Sequence, residues 1–226
     1  MDRFEQLVEC AIQVFIEQGY RLTQMADIAE ALGVAKGTLY LYMKSKEALF
    51  DLAVRYADTE RPIVSPPPFP VPTPEPGSTL QYIRERLTQE QVLPTLTVAL
   101  SRQRVTDLRT EISAIIEELY ATLVRNRCGI KLIDRSARDL PELATVWFEG
   151  ARGGLIHLLS QYLDDRVRRK LLHPLPDTAA AARLMLETTV FWAVHRHWDR
   201  EPQTVSDSVA KETLKHFLVR ALVKEG

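Results

Sequence analysis

Eight prolines, Pro62, Pro66, Pro67, Pro68, Pro70, Pro72, Pro74 and Pro76, crowd into one stretch and divide the chain. Proline has no backbone N–H and holds φ near about −65°, so neither a helix interior nor a central strand can run through this stretch. It reads as an extended connector over residues 59–77, between a short segment, 1–58, and a longer one, 78–226. Pro67-Pro68-Phe69-Pro70 contains a PxxP pattern, which makes it a conceivable ligand for an SH3-like domain. A stiff spacer is the simpler reading.

Both flanking segments have helical periodicity. Phe4, Leu7, Val8, Ala11, Ile12 and Phe15 recur at three- and four-residue steps, and Gly19 closes that helix. Thr23 is a suitable N-cap for a second helix over 24–32, which Gly33 breaks. A short third helix is expected over about 35–43, and Ser45 can cap a fourth. After the prolines, Ser78 and Gln81 have capping-box spacing. Pro94 interrupts the pattern, and Ile112, Ile115, Ile116, Leu119, Tyr120 and Leu123 form a clear amphipathic stripe. Asp139 with Glu142 looks like a helix start carrying Pro141 in its first turn, and Asp177 caps the next helix. That helix, 179–195, is apolar nearly all round, which predicts burial on every side. The last helix carries Val205, Val209, Leu214, Phe217, Leu218 and Leu222. No stretch alternates with period two, so the fold class is all-α.

A hydrophobic fraction of 46% with 26% charged residues describes a globular chain. The net charge of −1 supplies no general attraction to nucleic acid, and Asp2, Glu5, Glu9 and Glu17 make the first helix acidic. Any DNA binding must therefore rest on a few placed cations. Cys10 and Cys128 have neither metal-ligand nor CxxC spacing and read as thiols in a reducing cytosol. His195 and His197 stand two apart, so on a helix they point to different faces. No metal and no cofactor are expected. No segment approaches the roughly 18 uninterrupted apolar residues of a membrane span. The expected location is the cytoplasm, with no membrane partner.

Function is most legible between residues 23 and 46, TQMADIAEALGVAKGTLYLYMKSK. Ile28, Leu32 and Val34 suit a small core, and Ala29 lets two helices cross closely. Gly33 suits a turn with positive φ, and Leu39 buries the second helix against the first. This is the spacing of a helix-turn-helix, whose second helix enters the major groove. The stretch resembles the TetR family of transcriptional regulators over residues 4–56. The likeness rests on Phe15, Gly19-Tyr20, Thr23, Ile28-Ala29, Gly33-Val34, Lys36-Gly37-Thr38-Leu39-Tyr40, Tyr42 and Ser45-Lys46-Glu47-Ala48-Leu49. Three positions depart from the family: Ala35 replaces a hydroxyl residue, Met43 replaces a phenylalanine, and the basic amino-terminal arm is reduced to Arg3.

The resemblance implies a three-helix DNA-binding domain with its linking helix, 1–58, the connector, and a helical ligand-binding and dimerisation domain, 78–226. It implies DNA contacts from Thr23, Gln24, Lys36, Gly37, Thr38, Tyr40, Tyr42 and Lys46. Lys36, Gly37 and Thr38 would start the recognition helix, and Tyr42 and Lys46 would meet phosphates. It also implies a homodimer, because palindromic half-sites repeat about one helical turn, 34–36 Å, apart. Met185, Phe191, His195, Phe217, Leu218 and Leu222 are the expected interface residues, and Tyr82, Tyr120, Trp147, Phe148, Arg152, His157 and Trp192 the candidate lining of an effector cavity. The implied function is a repressor that leaves palindromic operator DNA when an apolar or amphipathic small molecule binds. The alternatives are a protein-interaction regulator that uses the proline segment and no ligand, and a helical enzyme. The enzyme is disfavoured because histidines and cysteines form no catalytic grouping.

Overall fold

The computed structural model describes residues 3–58, 67–90, 93–201 and 203–224. In chain order the α-helices are α1 (Arg3–Gln18), α2 (Met25–Leu32), α3 (Lys36–Leu39), α4 (Lys46–Tyr56), α5 (Ser78–Glu90), α6 (Pro94–Ser101), α7 (Leu108–Arg125), α8 (Arg127–Ala137), α9 (Pro141–Ala144), α10 (Gly153–Arg168), α11 (Thr178–Ala193) and α12 (Asp207–Leu222). A π-helical segment, Thr145–Arg152, precedes α10, and a 3₁₀ turn, His195–Trp198, follows α11. Among the described residues, β-type pairing is confined to two isolated bridges, Met43 with Val71 and Leu172 with Val223. The fold is all-α.

The helix ends follow the local signals. Ser45 accepts from the Ala48 N–H at 3.2 Å and Asp177 from the Ala180 N–H at 2.6 Å, each satisfying an orphan donor at a helix start. Pro94 and Pro141 open α6 and α9, where a missing N–H costs nothing. Besides that of Thr23, described below, two expected caps are not formed. Gln81 turns to Glu85 at 2.9 Å, so no capping box forms with Ser78, whose hydroxyl donates to the Glu75 carbonyl. Asp139 does not cap α9 but accepts from the Arg21 N–H at 3.0 Å.

The chain divides into two compact units, Met1–Thr88 with Asn126–Phe148, and Gln89–Arg125 with Glu149–Gly226. This division differs from the expected boundary after the prolines. The greater part of α5, together with α8 and α9, joins the first unit, because α8 packs on α1 and α4. The core of the first unit contains Leu7, Ala11, Phe15, Ile28, Leu39, Leu49 and Ala53, all essentially inaccessible. Each large apolar side chain buried in this way contributes about 1.5–3 kcal/mol. In the second unit α11 packs against α10, α7 and α12, over Ile112, Ile115, Ile116, Leu159, Met185 and Leu186. The expectation that α11 is buried on every side needs correction: Ala179, Ala180, Arg183 and Leu184 are exposed. The neighbouring helices of the unit cover only part of its circumference.

Candidate nucleic-acid interface

The surface in question is built from helix ends. Gly19 terminates α1 with φ +83°, and a Cβ there would lie 2.7 Å from the Asp139 carboxylate. Two long-range contacts and one local one hold this corner. Arg135 donates to the Gln18 carbonyl at 2.8 Å, Asp139 accepts from Arg21, and Thr23 donates its hydroxyl to the Gly19 carbonyl at 2.7 Å. Thr23 is 0% exposed. It therefore neither caps α2 nor presents a hydroxyl to DNA, which corrects the expectation for this residue. Gln24 is the N-cap residue, and its N–H is accepted by Asp27 at 2.7 Å. The Gln24 side chain is exposed at the start of α2.

The turn between α2 and α3 is a Schellman closure. Gly33 has φ +70°, its N–H reaches the Glu30 carbonyl at 2.9 Å, and the Val34 N–H reaches the Ala29 carbonyl at 2.9 Å. Ala35 then precedes α3 in an extended conformation and offers no side-chain cap. The expected third helix to residue 43 is cut to a single turn, Lys36–Leu39, followed by turns in which Leu41, Tyr42 and Met43 donate to Thr38 and Leu39 carbonyls. The absence of a hydroxyl at the N-cap, a loss of about 1 kcal/mol in helix stability, is consistent with so short a helix. Leu39, wholly buried, pins it to the core.

What projects outward is a polar and aromatic tip. Lys36, Gly37 and Tyr40 are exposed and Thr38 is half-exposed. A Cβ on Gly37 would meet nothing within 4 Å, so internal packing does not demand glycine there. Its bare backbone instead suits close approach by another molecule. Tyr42 is half-buried, with its ring 5.1 Å from Phe69. Lys46 turns inward: its ammonium donates to the Tyr20 carbonyl at 3.0 Å and lies 4.4 Å from the Tyr20 ring centre. Tyr20 in turn donates to Glu47 at 3.1 Å. Burial, then the adjacent Glu47 carboxylate, pushes the Tyr20 hydroxyl up to about 12, so it stays a neutral donor.

The described part of the proline segment, 67–77, is seated on this unit. The Val71 N–H donates to the Tyr42 carbonyl at 2.7 Å, and the Lys44 N–H donates to the Val71 carbonyl at 3.0 Å. Phe69 packs against Phe4 and Tyr42, and Thr73 donates to Ser45 at 2.9 Å. Residues 59–66 of the expected connector lie outside the described residues. Behind α4, Asp58 accepts from the Cys128 and Gly129 N–H groups and from Arg86 at 2.8 Å. Neither Arg135, Asp139 nor Asp58 was legible as part of this surface, because each acts on backbone more than 65 residues away.

The candidate effector residues are divided between the two units. Tyr82, Trp147 and Phe148 belong to the first unit, while Tyr120, Arg152, His157 and Trp192 belong to the second. Tyr82 stacks under Arg55, and Trp147 donates to Asp134 at 3.0 Å. Tyr120 is buried against Asp207, Arg152 pairs with Glu187, and His157 is exposed beside Gln161. Trp192 meets Phe191 edge-on. Of the interface candidates, Met185, Leu218 and Leu222 are buried within the second unit, Phe191 and His195 are half-buried, and Phe217 is 69% exposed. The described residues include no grouping that could hold a metal ion and no helix long and apolar enough to cross a membrane.

Residues 7–53 match the family described as bacterial regulatory proteins, tetR family. A fatty acid metabolism regulator protein of Bacillus subtilis (strain 168) is 44% identical over 45 residues, 20% of this chain and 23% of that protein. An HTH-type transcriptional repressor, KstR2 of Rhodococcus jostii (strain RHA1), is 40% identical over 53 residues, 24% of this chain and 26% of the repressor. The chain thus spans about a quarter of the length of these curated relatives, and 52% of an uncharacterized HTH-type regulator, YerO of Bacillus subtilis, at 24% identity. Among solved structures, the ketosteroid transcriptional regulator KstR2 of Mycobacterium tuberculosis aligns with a TM-score of 0.55 at 16% identity, over 99% of this chain and 96% of that one. A TetR-family regulator from Mesorhizobium loti aligns with a TM-score of 0.50 at 17% identity, over 98% and 97%. At such identities the structural likeness concerns the fold.

Proposed function

We propose that this chain, a member of the TetR family of bacterial transcriptional regulators, is a repressor that binds palindromic operator DNA as a homodimer and releases it when an apolar or amphipathic small molecule binds. The observation that carries the reading is the exposed tip Lys36-Gly37-Thr38 with Tyr40, held rigidly by the Schellman turn and the buried Leu39. Lys36 and Lys44 supply exposed cations for phosphates, Gln24 an exposed amide at the start of α2, and Thr38 and Tyr40 the polar reach toward base edges. Lys46 keeps a supporting part through Tyr20. Tyr42 contributes its hydroxyl from a ring fixed by Phe69.

The dimer reading draws on two helices of the second unit. Leu184 on α11 and Val209 and Phe217 on α12 are 68%, 56% and 69% exposed. Large apolar side chains exposed on adjacent helices favour a self-complementary interface. The repressor sense is supported by the named activity of the Rhodococcus relative. The seating of Phe69 and Val71 weighs against the proline segment acting as free bait for a partner.

Selection of bound sequences from a random duplex pool, with sedimentation of the free protein, tests the proposal. The expected product is a palindrome bound by a dimer. A monomer indifferent to every duplex at low ionic strength overturns it.

A further inference from the structure

A cavity of about 440 Å³ lies within the first unit, close behind the recognition surface. That is within the usual size of small-molecule pockets, about 300–1,000 Å³. Phe50, Ile83, Leu140 and Leu143 give it apolar walls, and Pro74 and Pro76 of the proline segment form another side. Three carboxylates, Glu47, Glu75 and Glu142, also line it, and its described lining contains no lysine, arginine or histidine. Glu75 and Glu142 are exposed, while Glu47 accepts from Tyr20, another lining residue. The backbone N–H of Glu47, at the start of α4, together with Ser45 and Tyr20, holds its carboxyl below the usual range, so it is ionised at neutral pH.

We propose that this cavity is an effector site for an amphipathic amine, a compound with an apolar body and an ammonium head, and that filling it acts on DNA binding through the proline segment. The walls bury the apolar body, and the carboxylates meet the cation. A fatty acid or other anion of the same shape meets like charge instead. Residues 74–77 touch the cavity, while residues 71 and 73 of the same segment bond Tyr42, Lys44 and Ser45, directly after the recognition helix. A segment carrying Pro72, Pro74 and Pro76 is stiff, so displacement at one end is transmitted to the other. Operator release through this site rests on the repressor reading, whereas amine binding does not.

The test titrates the full-length protein calorimetrically with 6-phenylhexylamine, 6-phenylhexanol and 6-phenylhexanoate, which share one apolar body. The amine is expected to bind about ten-fold more tightly than the alcohol, from two- to three-fold per carboxylate, and the acid more weakly than either. The double variant Glu75→Gln, Glu142→Gln, altered at exposed positions only, should lose most of that preference while keeping the alcohol's affinity. Equal affinities for amine and alcohol, or a preference that survives the double variant, overturn the site. With a selected operator, the amine should weaken DNA binding, and Phe69→Ala should bind the amine normally but release DNA several-fold less. Full release in Phe69→Ala overturns the route through the proline segment. Amine binding without any DNA binding overturns the repressor reading and supports the site, and DNA binding without amine preference does the reverse.

Discussion

The two units differ in where their most buried polar groups sit. In the first, polar side chains catch backbone at helix ends. Asp58 holds the start of α8, Arg135 holds the end of α1, and Thr23 closes the corner after Gly19. In the second, charges sit inside the helix packing. Arg166 is 0% exposed and lies 2.9 Å from Glu111, donates to the Ala99 carbonyl at 2.6 Å, and rests 4.7 Å from the Tyr162 ring, whose hydroxyl also bonds Glu111. The difference follows from helix length. The first unit contains α2, α3 and α9, of 8, 4 and 4 residues, so unsatisfied backbone groups are frequent and need partners. The second is built largely from helices of 16–18 residues, and its buried Arg166 and Glu111 tie α10 to α7. One unit is made to hold a surface tip in place; the other is keyed through its interior.

The three tryptophans allow the comparison to be broken, because Trp147 reports on the first unit and Trp192 and Trp198 on the second. The largest expected effect is in the second unit. Arg166→Ala leaves Glu111 buried without its principal cation and should cost about 3–5 kcal/mol in denaturant unfolding followed at Trp192 and Trp198. Arg86→Ala, which leaves the backbone donors to Asp58 in place, should cost about 1–3 kcal/mol at Trp147. Equal losses would end the distinction. Gly19→Ala should cost about 2 kcal/mol in the first unit, since a left-handed φ and contact with Asp139 both oppose a side chain. Ser45→Ala should cost about 1 kcal/mol by removing the cap of α4, with no shift at Trp192.

The smallest effect is an opposite response to acid. Burial raises the Asp58 carboxyl above its ordinary 3.8 despite its hydrogen bonds. A raised carboxylate favours the folded state most below the unfolded value and loses that advantage as pH rises through the folded one. In the second unit, burial of Asp165 is outweighed by hydrogen bonds from Arg169 and Arg166, which lower it below 3.8. Its stabilisation is present above 3.8 and lost as pH falls through the depressed value. Acidification across this range should therefore favour the first unit through Asp58 and weaken the second through Asp165. Glu47 opposes Asp58 within the first unit, so the difference is read against Asp58→Asn, in which the gain should vanish. A Trp147 midpoint with the same pH response in Asp58→Asn and the parent would refute this assignment.

The amino-acid sequence alone determined the all-α class, the helix-turn-helix and several helix boundaries. Those depend on contacts within about four residues: a hydroxyl or carboxylate at Ser45 and Asp177, a left-handed Gly33, a proline in the first turn of α9. Helix α8 carried no such cap, and its place beside α1 was decided by packing. Tertiary structure alone decided the fate of individual side chains. Thr23 turned into the core, Lys46 folded onto a carbonyl 26 residues away, and the proline segment docked on Tyr42 instead of spanning freely. Arg166 left its helix surface for Glu111, 55 residues distant, while Leu184 and Phe217 were left outside. Periodicity states that a residue has an apolar or polar neighbour direction, but which partner fills it is settled only when distant segments meet.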